Sequence, residues 1–206
     1  NAAAIAAEQD RLEKALSGAG LPASISISDA TDGSRFRLTS VWPRIGRHGE
    51  RVWCVVSNEK KSSRLVDFVF PKKGFLYDLV AGKEIGHGDR FRLPLSNGRP
   101  YAFELLDAKL APPKLSISGP IVTVATSPVA GTVVRVAVYD PSGAEVPHYS
   151  KKLVVENGRA SMAIPFAKSD ADGIWRVVAT DVITGESSSL KFGHMQFGLK
   201  RLERSR

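Results

Sequence analysis

Two short runs of carboxylates have the spacing in this sequence that comes closest to a metal site. Asp170-Ala171-Asp172-Gly173 and the run at 28–33 (Ser-Asp-Ala-Thr-Asp-Gly) each place two aspartates just before a glycine. Calcium loops use carboxylate oxygens in this way, but an EF-hand loop needs further ligands and a glutamate at its twelfth position. After Asp170 those ligands are lost to a predicted strand at 174–180. We therefore interpret both runs as turns, where Asp and Gly satisfy the backbone.

The remaining reactive side chains form no recognisable catalytic motif. Cys54 is the single cysteine; it excludes an intramolecular disulfide, and inside an apolar run it is expected to act as a small core hydrophobe. There is no Gly-x-Ser-x-Gly elbow, and Gly86-His87-Gly88 lacks the helix of a phosphate cradle. A Ser-His-Asp triad stays open, since triads assemble in space. The histidines are scattered and have no second ligand at metal spacing: His48, His87, His148 and His194. We expect no catalytic residue, no metal site and no cofactor.

Three tryptophans are candidates for stacking on sugar rings. Trp42 and Trp175 fall on the core-facing alternation of their predicted strands. Trp53 lies on the opposite face of the run 52–56, next to Val55. Trp53 is therefore the one candidate ligand-binding residue.

The elements that would position these residues are short strands separated by glycine turns. Between 132 and 192, runs of alternating apolar residues end at turns such as Asp140-Pro141-Ser142-Gly143 and Glu156-Asn157-Gly158. Counting from 115, about seven strands occur in roughly 80 residues, which is typical of an immunoglobulin-like sandwich. The cysteine pair of antibody domains is absent.

The first half of the chain has the same alternation. Strands are predicted at 35–42, 64–70, 91–95 and 101–105, with one apolar face each. The run 52–56 is apolar on both faces and therefore needs a second covering layer. A helix predicted at 2–17 is the nearest candidate for that layer.

These elements predict an all-β protein made of two tandem antiparallel β-sandwich domains, the second immunoglobulin-like, preceded by one N-terminal α-helix. The expected parts are a helix or connector at 1–20, a first sandwich at 21–110, a second at 111–195 and a basic tail at 196–206. The boundary is placed at Ala111-Pro112-Pro113-Lys114, because a double proline ends strand pairing.

The net charge of +8 comes from 29 Lys and Arg against 21 Asp and Glu. The excess falls on the first half and the tail, and we place Lys60-Lys61, Lys72-Lys73 and the segment 44–51 in turns or loops. Aromatic residues are not interleaved with these cations, so nucleic acid is not the expected partner. No apolar run reaches the 18 residues of a membrane span.

The chain begins at Asn1 without a signal peptide. We expect a processed piece of a longer protein that is secreted or periplasmic.

Two resemblances to known families make the expected function more specific. The segments 70–79 and 81–86, with Tyr77-Asp78-Leu79 and Gly82-Lys83 around one turn, followed by 91–95 and 101–105, resemble C-terminal sandwich modules of bacterial glycoside hydrolases. The segments 134–143, 156–158 with 162–165, and 173–177 with 181–185 are similar to immunoglobulin-like and macroglobulin-like modules of bacterial extracytoplasmic proteins. The first resemblance implies a non-catalytic accessory module. The second implies a module that spaces, caps or docks neighbouring domains.

The sequence therefore predicts a non-catalytic accessory region of a larger secreted bacterial protein, C-terminal to a hydrolase domain. Its expected partners are the other domains of that protein and polysaccharide. The alternative is a carbohydrate- or protein-binding module that uses the outer face of the first domain, near Trp53. A nucleic-acid binder driven by charge is the third and least favoured class.

Overall fold

The computed structural model describes residues 25–31, 33, 41–48, 51–58, 62–129 and 131–195, together with Ala7, Arg11, Lys14 and Ala15. For 41–48 it describes only the backbone. The predicted helix and the basic tail lie outside these residues, apart from the four isolated positions. Within the described residues, no helix has the length and apolarity needed to span a bilayer.

The chain divides into two compact units, 1–107 and 108–206. The second unit begins three residues before the predicted start of the second domain at Ala111. In both units, every pair between described strands is antiparallel. The predicted all-β class with antiparallel sheets is confirmed.

The first unit contains one sheet in the order β1-β4-β6-β3-β2, with β5 paired to β4. Its strands are β1 (Ser26–Asp29), β2 (Val41–His48), β3 (Arg51–Asn58), β4 (Arg64–Asp78), β5 (Lys83–Leu95) and β6 (Pro100–Leu106).

The long strand β4 changes partner along its length. Its first half pairs with β1 and its second half with β6, while β5 follows both halves. The register with β5 shifts between Val69 and Gly74. A Cβ atom on Gly74 would lie 2.7 Å from the carbonyl oxygen of Leu106 and 2.8 Å from Cγ of Leu105, so only glycine fits. Because of this change of partner, residues from both halves of β4 pack into the same core.

The core of the first unit follows the predicted alternation. Val66 and Phe68 are fully buried, whereas Leu65, on the other face of β4, is 43% exposed. Phe68 packs edge-on against Phe103 of β6, with 5.4 Å between ring centroids. Residues of five strands share this cluster, including Ile27, Val52, Cys54, Phe70, Leu76, Leu95 and Leu105.

Two basic segments predicted as turns or loops are strands. Most of 44–51 belongs to β2, which pairs with β3 from Val41 to His48. Lys72-Lys73 lies inside β4, and Lys72 pairs with Asp107 at 2.6 Å. Both predictions were wrong because charged residues are compatible with edge strands and exposed strand faces, which are held by backbone hydrogen bonds. Lys60-Lys61 lies outside the described residues.

The second unit contains two sheets, in the orders β10-β9-β12-β13 and β11-β8-β7. The strands are β7 (Lys114–Ser118), β8 (Ile121–Ala125), β9 (Thr132–Tyr139), β10 (Lys151–Val155), β11 (Arg159–Ala163), β12 (Gly173–Asp181) and β13 (Ser187–His194). Residues of both sheets form one buried cluster, among them Val124 and Met162 from one sheet and Val136, Trp175 and Val177 from the other.

Candidate functional site

In the carboxylate run at 170–173, Asp170 stabilises loops of the second unit through hydrogen bonds. Oδ2 of Asp170 accepts a hydrogen bond from the hydroxyl of Tyr149 at 2.6 Å and from the amide of Ala167 at 2.7 Å. The bond from Tyr149 holds the pKa of Asp170 below its usual range. The earlier run is similar, because Asp29 Oδ1 accepts the amide of Thr31 at 2.8 Å. Asp170 and Asp29 therefore serve turns, as interpreted from the sequence.

Tyr149, the hydrogen-bond partner of Asp170, belongs to an aromatic cluster around Trp175. The indole Nε1 of Trp175 donates to the carbonyl of Ala171 at 3.0 Å, and its side chain is only 2% exposed. Phe166 lies between Trp175 and His194, and the His194 ring stacks on Phe166 with 4.0 Å between centroids. Trp175 is therefore a core residue, as predicted.

Two other histidines are exposed, one in each unit. His87 is exposed beside Phe75, and His148 is exposed beside Tyr149. The side chains of His48 and Trp42 lie outside the described residues. In the described parts of both units, no three His, Cys, Asp or Glu side chains are grouped so that they could hold a metal ion.

Cys54 is fully buried in the core of the first unit. Burial raises the pKa of its thiol to about 12, because the thiolate would lose its hydration. The group stays protonated at neutral pH and does not act as a nucleophile. This agrees with its prediction as a core hydrophobe.

Trp53 lies on the face of β3 opposite the core. Its neighbour on β6 is Glu104, which is 8% exposed and held by Arg51 through two contacts of 2.7 Å, from Nε and Nη2. Trp53 is half-buried and Val55 is 40% exposed. The prediction that 52–56 is covered on both faces is therefore wrong at Val55. The outer face around Trp53 combines an indole with a fixed ion pair.

A pocket of about 460 Å³ in the first unit was missed by sequence reasoning. Residues of the β4–β5 turn and of the β5–β6 turn line it. Its walls are apolar at Ile85, Leu93 and Pro94. Its polar groups are Asp78, Lys83, Glu84, Ser96, Arg99 and Tyr101.

Hydrogen bonds fix both turns at this pocket. Asp78 Oδ1 accepts the amides of Val80 and Ala81 at 2.9 Å each. On the other side, the Tyr101 hydroxyl accepts the amide of Ser96 at 2.9 Å, and the Arg99 guanidinium lies over the Tyr101 ring at 5.4 Å from its centroid. The pocket is thus preformed, with an apolar wall and a rim of mixed charge.

Asn58 anchors the β5–β6 turn from behind. It is fully buried, and its Nδ2 donates to the carbonyls of Leu95 at 2.8 Å and Ser62 at 3.0 Å. The Asn58 carbonyl accepts the amide of Gly98 at 2.8 Å. No sequence motif marks this anchor, because its partner Leu95 in the turn region is 37 residues away. An apolar wall with a polar rim suits non-covalent binding of a small polar molecule.

No protein-family model matches this sequence, and no curated protein is significantly similar to it. Among solved structures, the tetra-tandem repeat in the extending region of a large adhesion protein aligns with 84% of this chain and 66% of its own, at 12% identity and a TM-score of 0.35. The β-glucuronidase of Parabacteroides merdae aligns with 80% of this chain and 32% of its own, at 11% identity and a TM-score of 0.23.

The β-D-glucuronidase of Dictyoglomus thermophilum aligns with 84% of this chain and 42% of its own, at 11% identity and a TM-score of 0.18. The chain therefore spans less than two thirds of the length of each of these three structures.

Proposed function

We propose that the chain is a non-catalytic accessory region of a larger secreted or periplasmic bacterial protein, C-terminal to a hydrolase domain. One observation carries the proposal: the side chains that could react chemically are engaged in contacts that stabilise the fold. Asp170 and Asp78 hold turns, Glu104 is locked in an ion pair, and Cys54 is buried as a thiol. Groups committed in this way are poor acids, bases or nucleophiles.

The architecture proposed for this role is a pair of tandem sandwiches at 21–110 and 111–195, the second immunoglobulin-like. The seven strands described for the second unit, in sheets of four and three around one core, support the immunoglobulin-like assignment. In the first unit, the change of partner along β4 supports a sandwich, because residues from both of its halves enter one core. Such modules space or dock the domains beside them.

The purified chain is tested with a panel of chromogenic glycosides, and the expected result is hydrolysis no faster than in buffer. Any turnover must be checked with the double variant Asp78→Asn/Glu84→Gln, which changes the two carboxylates of the pocket. Turnover that disappears in this variant would overturn the proposal. Turnover that persists in the variant would also contradict the proposal. It would show in addition that the reacting groups lie outside the pocket.

The second candidate function is carbohydrate binding by the first unit. Two observations favour it: Trp53 is half-buried beside the Arg51–Glu104 pair, and the pocket at Arg99 is preformed. A glycan array compares the wild-type chain with Trp53→Ala and Arg99→Ala. Loss of signal in only one of the two variants identifies the surface used. The absence of any bound glycan would remove this candidate.

A further inference from the structure

The outer face of the β10-β9-β12-β13 sheet carries two pairs of cations, one near each edge of the sheet. On β10 and β9, Lys152 is the register partner of Arg135, and on β12 and β13, Arg176 is the register partner of Lys191. Strand alternation puts all four on the side opposite the core, since Val134, Val177 and Leu190 point inward. We call these four residues the basic face.

Three of the four cations have no carboxylate partner in the part of the chain that the structure describes. Arg135 is bound by Glu145 at 2.6 Å, but no carboxylate lies within ion-pair distance of Lys152, Arg176 or Lys191 among the described residues. Acidic residues of the same unit, such as Asp140 and Asp181, are used in turns. Among the described residues, three cations of this face thus have no carboxylate within ion-pair distance, while the charge of Arg135 is matched by Glu145.

The spacing of the cations suits an extended anionic chain. Thr180 is the register partner of Arg135 and lies four residues from Arg176 along β12, so the two pairs, on neighbouring strand pairs, are offset by about 13 Å along the strands. Thr180 and Ser187 lie level with Arg135, and Ser189, the register partner of Val178, lies between the levels of the two pairs. A chain crossing the sheet obliquely, from β10 and β9 to β12 and β13, would therefore meet the first cation pair, pass Thr180 and Ser189, and reach the second cation pair.

We propose that the basic face binds an acidic polysaccharide, through the carboxylates of its uronate residues. Charge complementarity and the row of hydroxyls favour a sugar polymer, whose own hydroxyls can exchange hydrogen bonds with Thr180 and the serines. Nucleic acid fits less well, because single-strand binders stack bases on open aromatic rings. Tyr139 is the only aromatic residue on the described part of this face, and the Arg176 guanidinium lies over its ring at 4.3 Å.

This inference goes beyond the proposed function, because it names a partner for the second unit and uses neither Trp53 nor the pocket. Its failure would leave the glycoside test of the accessory role unaffected.

The test measures binding of the full chain to polygalacturonate by titration calorimetry at about 50 mM salt, where ionic contacts are strong. Dextran serves as the neutral polymer and a single-stranded oligonucleotide as the competing class of polyanion. The variant Arg176→Gln/Lys191→Gln removes two cations of the face. Its matched control, Lys114→Gln/Arg159→Gln, removes one exposed lysine and one exposed arginine from the other sheet.

We expect polygalacturonate to bind and dextran not to bind. The face variant should raise the Kd about tenfold or more, because two charge-assisted contacts are lost. The control variant should change the Kd by less than about twofold, since its charges lie on the other sheet. A second variant, Lys152→Gln/Lys191→Gln, leaves the contact of Arg176 with Tyr139 intact and is expected to weaken binding similarly.

Three results would overturn the proposal: no binding to polygalacturonate, equal weakening in the face and control variants, or tighter binding of the oligonucleotide with the same dependence on the face.

Discussion

The carboxylate of Asp170 joins two loops of the second unit. It holds the hydroxyl of Tyr149 and the amide of Ala167, which lie in different connections between strands. We expect Asp170→Ala to lower the free energy of unfolding by about 1–3 kcal/mol, because a hydrogen bond to a charged group is lost. Ser169→Ala, an exposed neighbour, should stay within about 0.5 kcal/mol of the wild type. Urea unfolding at pH 7 measures both values.

The same variant has a defined pH dependence. The pKa of Asp170 is lower in the folded chain than its ordinary value of 3.8, so the stability it supplies is present above that pH. It is lost as the pH falls through the folded pKa. The gap in unfolding free energy between wild type and Asp170→Ala should therefore be constant from pH 7 to about pH 5 and then narrow in acid. A gap that widens on acidification would contradict this assignment.

The thiol of Cys54 should be inert in the folded chain. Because burial raises its pKa to about 12, little thiolate exists at pH 8, and reagents cannot reach the buried sulfur. We expect no labelling by a disulfide reagent at pH 8 without denaturant. One thiol per chain should react once urea unfolds it, and rapid labelling of the native chain would place Cys54 at the surface.

Among the elements, β4 depends on a single residue at the point where it changes partner. Gly74→Ala should destabilise the first unit by about 1–3 kcal/mol, because the added methyl group would meet backbone and side chain of β6 at 2.7 and 2.8 Å. Its register partner Gly88 is the matched control, since a Cβ atom there meets nothing closer than 3.8 Å. Thermal unfolding of the two alanine variants measures the difference. Equal effects in both would show that the contact with β6 does not matter.

The strands were predictable wherever one face is apolar. The alternation of Val66, Phe68 and Phe70 located both the strand and its buried side. It did not locate the end of β4, because Pro71-Lys72-Lys73-Gly74 has the composition of a turn and remains extended through pairing with distant strands.

The site was predictable only in part, for a related reason. Trp53 could be assigned to an outer face from its own strand. The Arg51–Glu104 pair joins residues 53 positions apart, and the pocket combines two turns of different strand pairs. Local patterns carry no information about such contacts, which depend on the order of strands in the sheet.

At the scale of the whole molecule, each unit has its own core. We expect residues 108–195 to fold when expressed alone, because a domain of this size with a separate core usually does so. Trp175 is the only tryptophan of this fragment and is 2% exposed, so it reports folding directly. The fragment should show blue-shifted emission that moves to the red in one cooperative urea transition. Emission at the position of free tryptophan in buffer would mean that the second unit depends on the first.

Because β4 pairs with β1 along its first half and with β6 along its second, strand separation in the first unit should be cooperative. Amide hydrogens exchange with solvent only when their strand separates from its neighbour. Since one continuous strand is paired with β1, β5 and β6, displacing it exposes amides in all of them together. The slowest-exchanging amides of β1 and β6, which are far apart in the sequence, should therefore share one opening event.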